Sequence, residues 1–290
     1  MSLGLIKIFI PKKIKEKIKK SLTISNVTRP YVLEQELKLP MVGMNALVTG
    51  GSGAIGRAIC FKLASKGANV FVAGRTESTV DNVVKDIKSI GLRANSFIVD
   101  VGDEKSVDRV FSENFENLKL DLLVNCAGGG ARTKATEIDK QSVEIIDSVL
   151  DSNLRGTMLC TRKATQYMKA QKTQGKIVVI SSTVGIQGKA MYSEYAAAKA
   201  GMLGFVKAMA LELGQYGINI NCVTPGFIQR GEYNGHMEEW LRSTNCLHSI
   251  GTLEDIAEAV YFMLSSSSNF ITGQNLIVDG GRTLGLYGDR

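Results

Sequence analysis

The sequence predicts a single doubly wound α/β domain built on a seven-stranded parallel sheet. Three observations predict it. Strand-like apolar runs alternate with helix-period runs from about Met44 to the end of the chain. A glycine-rich turn, Gly50-Gly51-Ser52-Gly53-Ala54-Ile55-Gly56, joins the first strand run to the first helix run. The residues suited to chemistry fall just past the strand ends, where a parallel sheet gathers its ligand crevice.

The elements follow in order. Residues 44–49 form a short buried-strand run, and the helix after the glycine turn spans about 54–66 with Ile55, Ile59 and Leu63 on one face. Gly67 then offers a left-handed cap. Further strands are expected near 69–73, 94–99, 120–125, 176–181, 218–223 and 275–278. Helices are expected near 77–90, 103–117, 140–170, 193–214 and 253–264. Helical crossovers between neighbouring strands require them to run parallel. Residues 226–250 break the periodic pattern, and a long connection at the ligand edge suits a substrate loop. Within it Gly235 to Ser243 suits a short helix, and Phe227, Tyr233, Met237, Trp240 and Leu241 could line an apolar pocket.

The glycine turn suits a dinucleotide. Glycines let the backbone approach a pyrophosphate, and the helix N-terminus supplies N–H donors and a positive dipole end. The second strand ends in Gly74-Arg75, where a carboxylate for a ribose 2′-hydroxyl would otherwise stand. Arg75 can pair with a 2′-phosphate, which favours NADP(H) over NAD(H).

Tyr195 and Lys199 stand one helical turn apart, and Ser182 lies thirteen residues before the tyrosine. An ammonium beside a phenol favours the phenolate, which makes a proton donor usable near neutral pH. A serine hydroxyl nearby could hydrogen-bond the oxygen that receives the proton. This suits carbonyl reduction or alcohol oxidation. On a surface helix the same spacing would be an ordinary solvated pair.

With these residues the chain resembles the short-chain dehydrogenase/reductase family over roughly residues 41 to 284, and in particular its 3-oxoacyl-(acyl-carrier-protein) reductase-like members. Thr49 to Gly56 is similar to the family's glycine motif, with Ala54 for the middle glycine. The resemblance implies a Rossmann fold with Gly50, Ser52, Gly53, Ile55 and Gly56 on the cofactor phosphates and Asp100-Val101 at the adenine. Asn125, Ala127 and Gly128 belong to an Asn-Asn-Ala-Gly-like segment, with Cys126 for the second asparagine. Pro225, Gly226 and Ile228 would lie beside the nicotinamide, and Tyr195 and Lys199 would also touch the cofactor. Ile271 to Gly281 resembles the approach to the last strand and the strand itself.

Asn153, Ser182, Tyr195 and Lys199 match the family's catalytic tetrad in type and spacing. The resemblance implies hydride transfer to a carbonyl carbon, with Tyr195 as general acid. Lys199 would lower the tyrosine's pKa and hold the ribose hydroxyls. Ser182 would orient the carbonyl oxygen, and Asn153 would hold a relay water. One departure stands out: family members often carry threonine where Arg230 stands, and Arg230 could instead meet an anionic substrate group or solvent. Gly128-Gly129-Gly130 is also similar to peroxisomal enoyl-CoA reductases of the family, whereas the intact Tyr195/Lys199 pair points to carbonyl chemistry.

Composition narrows the field. The chain has 290 residues, 44% hydrophobic content and a net charge of +7. Residues 1–40 carry +6 of that charge, so the domain from 41 to 290 is nearly neutral and gives no basis for nucleic-acid binding. Five cysteines show no zinc spacing and suggest buried thiols in a reducing compartment. Two histidines offer neither a metal cluster nor a histidine-based triad.

The extension 1–40 carries Ile10, Ile14, Ile18 and Leu22 among lysines, the pattern of a basic amphipathic helix. It suits a targeting segment or a solvated tail, with membrane-surface contact by residues 1–22 as a third option. A cytoplasmic or organellar location follows.

The substrate is expected to be a small ketone or acyl thioester, and the resemblance implies a homotetramer. Alternatives are a sugar, polyol or steroid alcohol dehydrogenase and a non-catalytic NADP-sensing regulator.

Overall fold

Apolar runs flanked by glycine turns build seven parallel strands: β1 (Asn45–Thr49), β2 (Asn69–Gly74), β3 (Ala94–Ile98), β4 (Leu122–Asn125), β5 (Lys176–Ile180), β6 (Asn219–Pro225) and β7 (Asn275–Val278). The computed structural model describes residues 39–129, 135–232 and 234–284. Residues 1–38, 130–134, 233 and 285–290 lie outside the described residues, Gly130 and Tyr233 among them. The strands form one sheet in the order β3-β2-β1-β4-β5-β6-β7. The order reverses between β1 and β4, which opens the crevice at their carboxyl ends.

Every residue of β1, β4 and β5 is buried. A parallel sheet covered on both faces needs that, since crossover helices pack on each side. On one face pack α1 (Ala54–Ser65), α2 (Glu77–Ser89) and α9 (Leu253–Leu264), with Ala46 and Val48 meeting Ile59, Leu63 and Ile256. On the other pack α3 (Glu104–Phe115), α5 (Gly156–Ala170) and α7 (Ser193–Leu213), with Leu47 and Leu123 meeting Phe111, Met168 and Met202. Each such buried aliphatic or aromatic side chain contributes roughly 1.5–3 kcal/mol. Phe71 sits at the middle of an edge-on ring cluster with Phe97 and Phe115.

At the amino ends of the strands, amides link side to side. Asn69 Nδ2 donates to Asn45 Oδ1, and Asn95 Nδ2 donates to Asn69 Oδ1, both at 3.0 Å. Asn45 also donates its backbone N–H to Asp121 Oδ2 at 2.9 Å.

Three local features depart from the sequence pattern. The helix expected over 140–170 divides into α4 (Val143–Leu150), a π-helical turn (Asp151–Arg155) and α5. A short helix, α6 (Val184–Gln187), follows Ser182. Gly74, Asn125 and Pro225 end their strands instead of following them. The short helix in the substrate loop forms as α8 (Gly235–Ser243), capped by Asn234.

Candidate active site

The phosphate loop is a cradle that admits only glycine at two points. Gly50 has φ +65°, and a Cβ there would lie 2.7 Å from the Ala127 Cα. A Cβ on Gly56 would collide with the Gly50 carbonyl oxygen, so α1 starts against the turn itself. The α1 N-terminus carries no side-chain cap and no acid in its first turn. Its N–H donors and positive dipole end thus face the crevice without internal competition. Ser52 and Ile55 belong to the same turn, and Ser52 Oγ lies beside Gly74. Arg75 follows, exposed.

The opposite wall is held by Thr49, whose hydroxyl accepts both the Cys126 and the Ala127 N–H groups at 3.1 Å. In the sequence Thr49 is only the first residue of the glycine motif, and its task appears once β1 lies beside β4. Asn125 donates to Thr161 Oγ1 at 2.9 Å, while its Oδ1 is buried and makes no hydrogen bond. Asp100 lies beyond β3 and spends one carboxylate oxygen on the Gly102 N–H at 3.0 Å. Val101 is buried beside it.

Asn153 occupies the π-helical turn and is fully buried. Its amide donates to Val149 O at 2.9 Å and to Gly129 O at 3.3 Å. Its Oδ1 makes no hydrogen bond, and a Cβ on Gly128 would collide with that oxygen. The extra residue of a π turn rotates a side chain off the helical register, a common device at functional positions.

Ser182 follows β5, and its Oγ accepts the Val184 N–H at 3.2 Å. Tyr195 and Lys199 lie in α7, with the Lys199 amine 5.5 Å from the Tyr195 ring centre. Lys199 is buried and donates to Ile180 O at 2.9 Å. Ser181 returns a bond from its hydroxyl to Lys199 O at 2.8 Å, so β5 and α7 are tied at both ends of that residue. A Cβ on Gly185 would press into the Lys199 backbone, which explains how closely α6 packs there.

Burial pulls the Lys199 amine down to about 8, and the Cys126 and Cys222 sulfurs oppose that shift in part. Burial pushes the Cys126 thiol up to about 11, while the Lys199 and Arg230 cations hold it down.

Pro225 accepts the Thr183 N–H at 3.1 Å, and Gly226 donates to Val278 O at 2.9 Å. Ile228 is buried and bridges to Gly251. A cavity of about 200 Å³ opens beneath this connection, lined by Phe227, Ile228, Leu241 and Arg282 among others. Of the expected pocket residues, Phe227 and Leu241 line it, Met237 and Trp240 are instead exposed, and Tyr233 lies outside the described residues.

The glycine cradle and the uncapped helix end fit a dinucleotide. Among the described residues no group of three His, Cys, Asp or Glu side chains could hold a metal ion. No described helix is long and apolar enough to cross a membrane.

The comparisons with known proteins agree with this geometry. A family model described as Enoyl-(Acyl carrier protein) reductase matches residues 50–283. The 3-oxoacyl-[acyl-carrier-protein] reductase FabG of Chlamydia muridarum is 37% identical over 248 residues, covering 83% of this chain and 98% of that protein. The BbsD subunit of (2S)-[(R)-hydroxy(phenyl)methyl]succinyl-CoA dehydrogenase from Thauera aromatica is 34% identical, covering 82% and 96%. A solved structure from Agrobacterium tumefaciens, provisionally assigned as a gluconate dehydrogenase, is 29% identical. It superposes with a TM-score of 0.80 over 86% of this chain and 99% of its own.

Proposed function

We propose, from the premise that this chain belongs to the short-chain dehydrogenase/reductase family, that it reduces a ketone to a secondary alcohol with NADPH. The ketone is a 3-oxoacyl thioester or a similar carbonyl compound, as the names of the 37% identical relatives suggest. The observation that carries the reading is the Tyr195–Lys199 pair at the end of β5, opposite the glycine cradle.

When bound, the reduced nicotinamide supplies a hydride to the carbonyl carbon. Tyr195 delivers the proton to the carbonyl oxygen. Ser182 already accepts the Val184 N–H, so its own hydroxyl proton can be donated to that same oxygen. Lys199 is an ammonium at pH 7, and a cation one turn away favours the phenolate that remains. Its site beside Ile180 also suits it to hold the ribose hydroxyls. Asn153 is suited to position a water in the proton path through its Oδ1. Gly50, Ser52, Gly53, Ile55 and Gly56 would hold the pyrophosphate, Arg75 the 2′-phosphate, Asp100 and Val101 the adenine. Asn125, Ala127, Gly128, Pro225, Gly226 and Ile228 would flank the nicotinamide end.

The reverse direction, oxidation of a secondary alcohol, is the second reading. It is favoured by the 34% identical relative, whose name is that of a dehydrogenase. Assembly as a homotetramer is supported by exposed apolar side chains such as Ile277 on β7 and Phe270 before it. Residues 1–40 are proposed as a targeting segment or tail, which a fluorescent fusion would place in an organelle or the cytoplasm.

The test is NADPH consumption with acetoacetyl thioester and a panel of ketones. Tyr195→Phe should lower the rate by roughly 10²–10⁴-fold while NADPH still binds. A wild-type protein that binds NADPH and reduces nothing would instead be a cofactor sensor.

A further inference from the structure

Arg155 and Asn153 lie two residues apart in the π-helical turn, and their side chains reach the exits of two different strands. Asn153 donates to Gly129 O beyond β4, and Arg155 Nη1 donates to Gly102 O beyond β3. We propose that Arg155 is a positioning residue that ties the turn 100–102 to Asn153. A ligand held at that turn then also firms the far end of the crevice. The proposal rests on the reading that Asp100 and Val101 meet the adenine, and it gives that end of the site a task beyond affinity.

The π turn is closed by its own chain. The Gly156 N–H donates to Asp151 O, five residues back. Thr157 Oγ1 donates to Asn153 O at 2.7 Å, and Asn153 Nδ2 donates to Val149 O at 2.9 Å. Asn153 is thus bonded to the helix on both sides of itself. A short, bonded turn of this kind passes a displacement at one end to the other.

The turn 100–102 rests on both ends of it. A Cβ on Gly102 would lie 3.7 Å from the Asp151 Cβ, an ordinary contact. A Cβ on Gly156 would lie 2.7 Å from Val101 Cγ2, so only glycine lets α5 start this close. Within the turn Gly102 N–H donates to Asp100 Oδ1 at 3.0 Å, and Asp100 N–H donates to Ser106 Oγ at 3.1 Å. Gly102 precedes Asp103, the cap of α3, so its carbonyl lies outside the helix ladder. A charged donor bonds such an oxygen roughly twice as strongly as a neutral one.

Gly128 and Gly129 complete the path. Gly129 accepts from the Asn153 amide, and Gly128 packs so near Asn153 Oδ1 that an added Cβ would collide with it. The sheet places β2 and β1 between β3 and β4. The two exits are therefore roughly 14 Å apart, and the π turn reaches both.

Arg155 is exposed, and its removal should leave the fold intact. α3 and α5 stay paired through Arg162 with Glu104 at 2.8 Å and Lys163 with Asp108 at 2.9 Å. What Arg155 adds is confined to the turn.

Amide hydrogen exchange reads this tie without turnover. The probes are adenosine and adenosine 2′-monophosphate, neither of which carries the 5′-phosphate that the glycine cradle would hold. In the wild type at least one of them should slow exchange at 100–106. It should also slow residues 151–156 and 127–129, by about fivefold or more. Arg155→Met should keep the slowing at 100–106 and lose it at 151–156 and 127–129. Arg155→Lys, which keeps a charged donor, should restore part of it.

Slowing confined to 100–106 in the wild type would overturn the proposal, and so would a wild-type spread in Arg155→Met. Loss of the slowing at 100–106 in Arg155→Met would make the arginine an adenine contact and overturn it as well. A wild type with no slowing even at 100–106 would sink the adenine assignment itself, which separates that failure from the others.

Discussion

Lys199 donates its amine to the Ile180 carbonyl oxygen at 2.9 Å, deep under the end of β5. A buried amine held by a neutral acceptor keeps its proton less firmly than one in water, and its pKa falls from the ordinary 10.5 to about 8.

Stability should record that shift. Above pH 8 the folded chain releases the Lys199 proton, while the unfolded chain keeps it until about 10.5. The unfolded state then binds more protons, so this group's contribution to stability rises with pH across that window and is lost as pH falls through 8. The wild type should gain about 3 kcal/mol relative to Lys199→Met between pH 8 and 10.5. The buried thiols act in the opposite sense above pH 9. Those of Cys60 and Cys160 cancel in the difference, whereas Cys126 and Cys222 feel Lys199, so both proteins are compared in a Cys126→Ala, Cys222→Ala background. Urea unfolding of the two proteins without cofactor checks it, and parallel pH curves would refute it.

Thr49→Val should loosen the crevice wall. Valine matches the shape of threonine and removes the oxygen that accepts the Cys126 and Ala127 N–H groups. Two donors left unpaired beside a buried position should cost about 2–4 kcal/mol. The urea midpoint should fall with an unchanged slope, and dinucleotide affinity should fall with it.

Gly128→Ala should be destabilising through Asn153. The glycine has φ +132°, which other residues rarely adopt, and its added methyl would strike Asn153 Oδ1. A loss of about 1–3 kcal/mol is expected. The double variant with Asn153→Ala should be more stable than the two single losses added together, since the collision is then gone. Thermal unfolding of all four proteins tests this, and strict additivity would exclude the contact.

Arg75→Asp should reverse the nucleotide preference. The side chain is exposed at the end of β2, so the exchange should leave the fold intact. An aspartate there would repel a 2′-phosphate and could accept a 2′-hydroxyl. Fluorescence titration should show NADPH ahead of NADH in the wild type and behind it in the variant. An unchanged order would remove Arg75 from cofactor choice.

How much of this was legible in the sequence varies from element to element. β1, β4 and β5 are buried from end to end, so their unbroken apolar runs stood out. The short helix α8 was legible because it stands out in a connection that otherwise breaks the pattern, and Asn234 caps it. The π-helical turn was hidden, since the apolar period carries through 143–170 and the irregularity appears in long-range contacts of Asn153 with Gly129. The helix α6 is too short for any period to show. The two bonds to Thr49 could not be read, because they require knowing that β1 lies beside β4. The spacing of Tyr195 and Lys199 was plain, whereas the tie of Lys199 to Ile180 depends on how α7 lies against the sheet.

The amide chain through Asn45, Asn69 and Asn95 lies at the amino ends of the strands, far from the crevice. Asn45 sits level with Asn69 in the pairing of β1 with β2. Sliding β2 by one position would turn Asn69 toward the opposite face and sever both links together, while sliding β1 would sever its own link to Asn69. The loops at the far edge thereby inherit their relative heights from a lock at the base. An engineer could redraw those loops for a new ligand freely, provided these three amides are left alone.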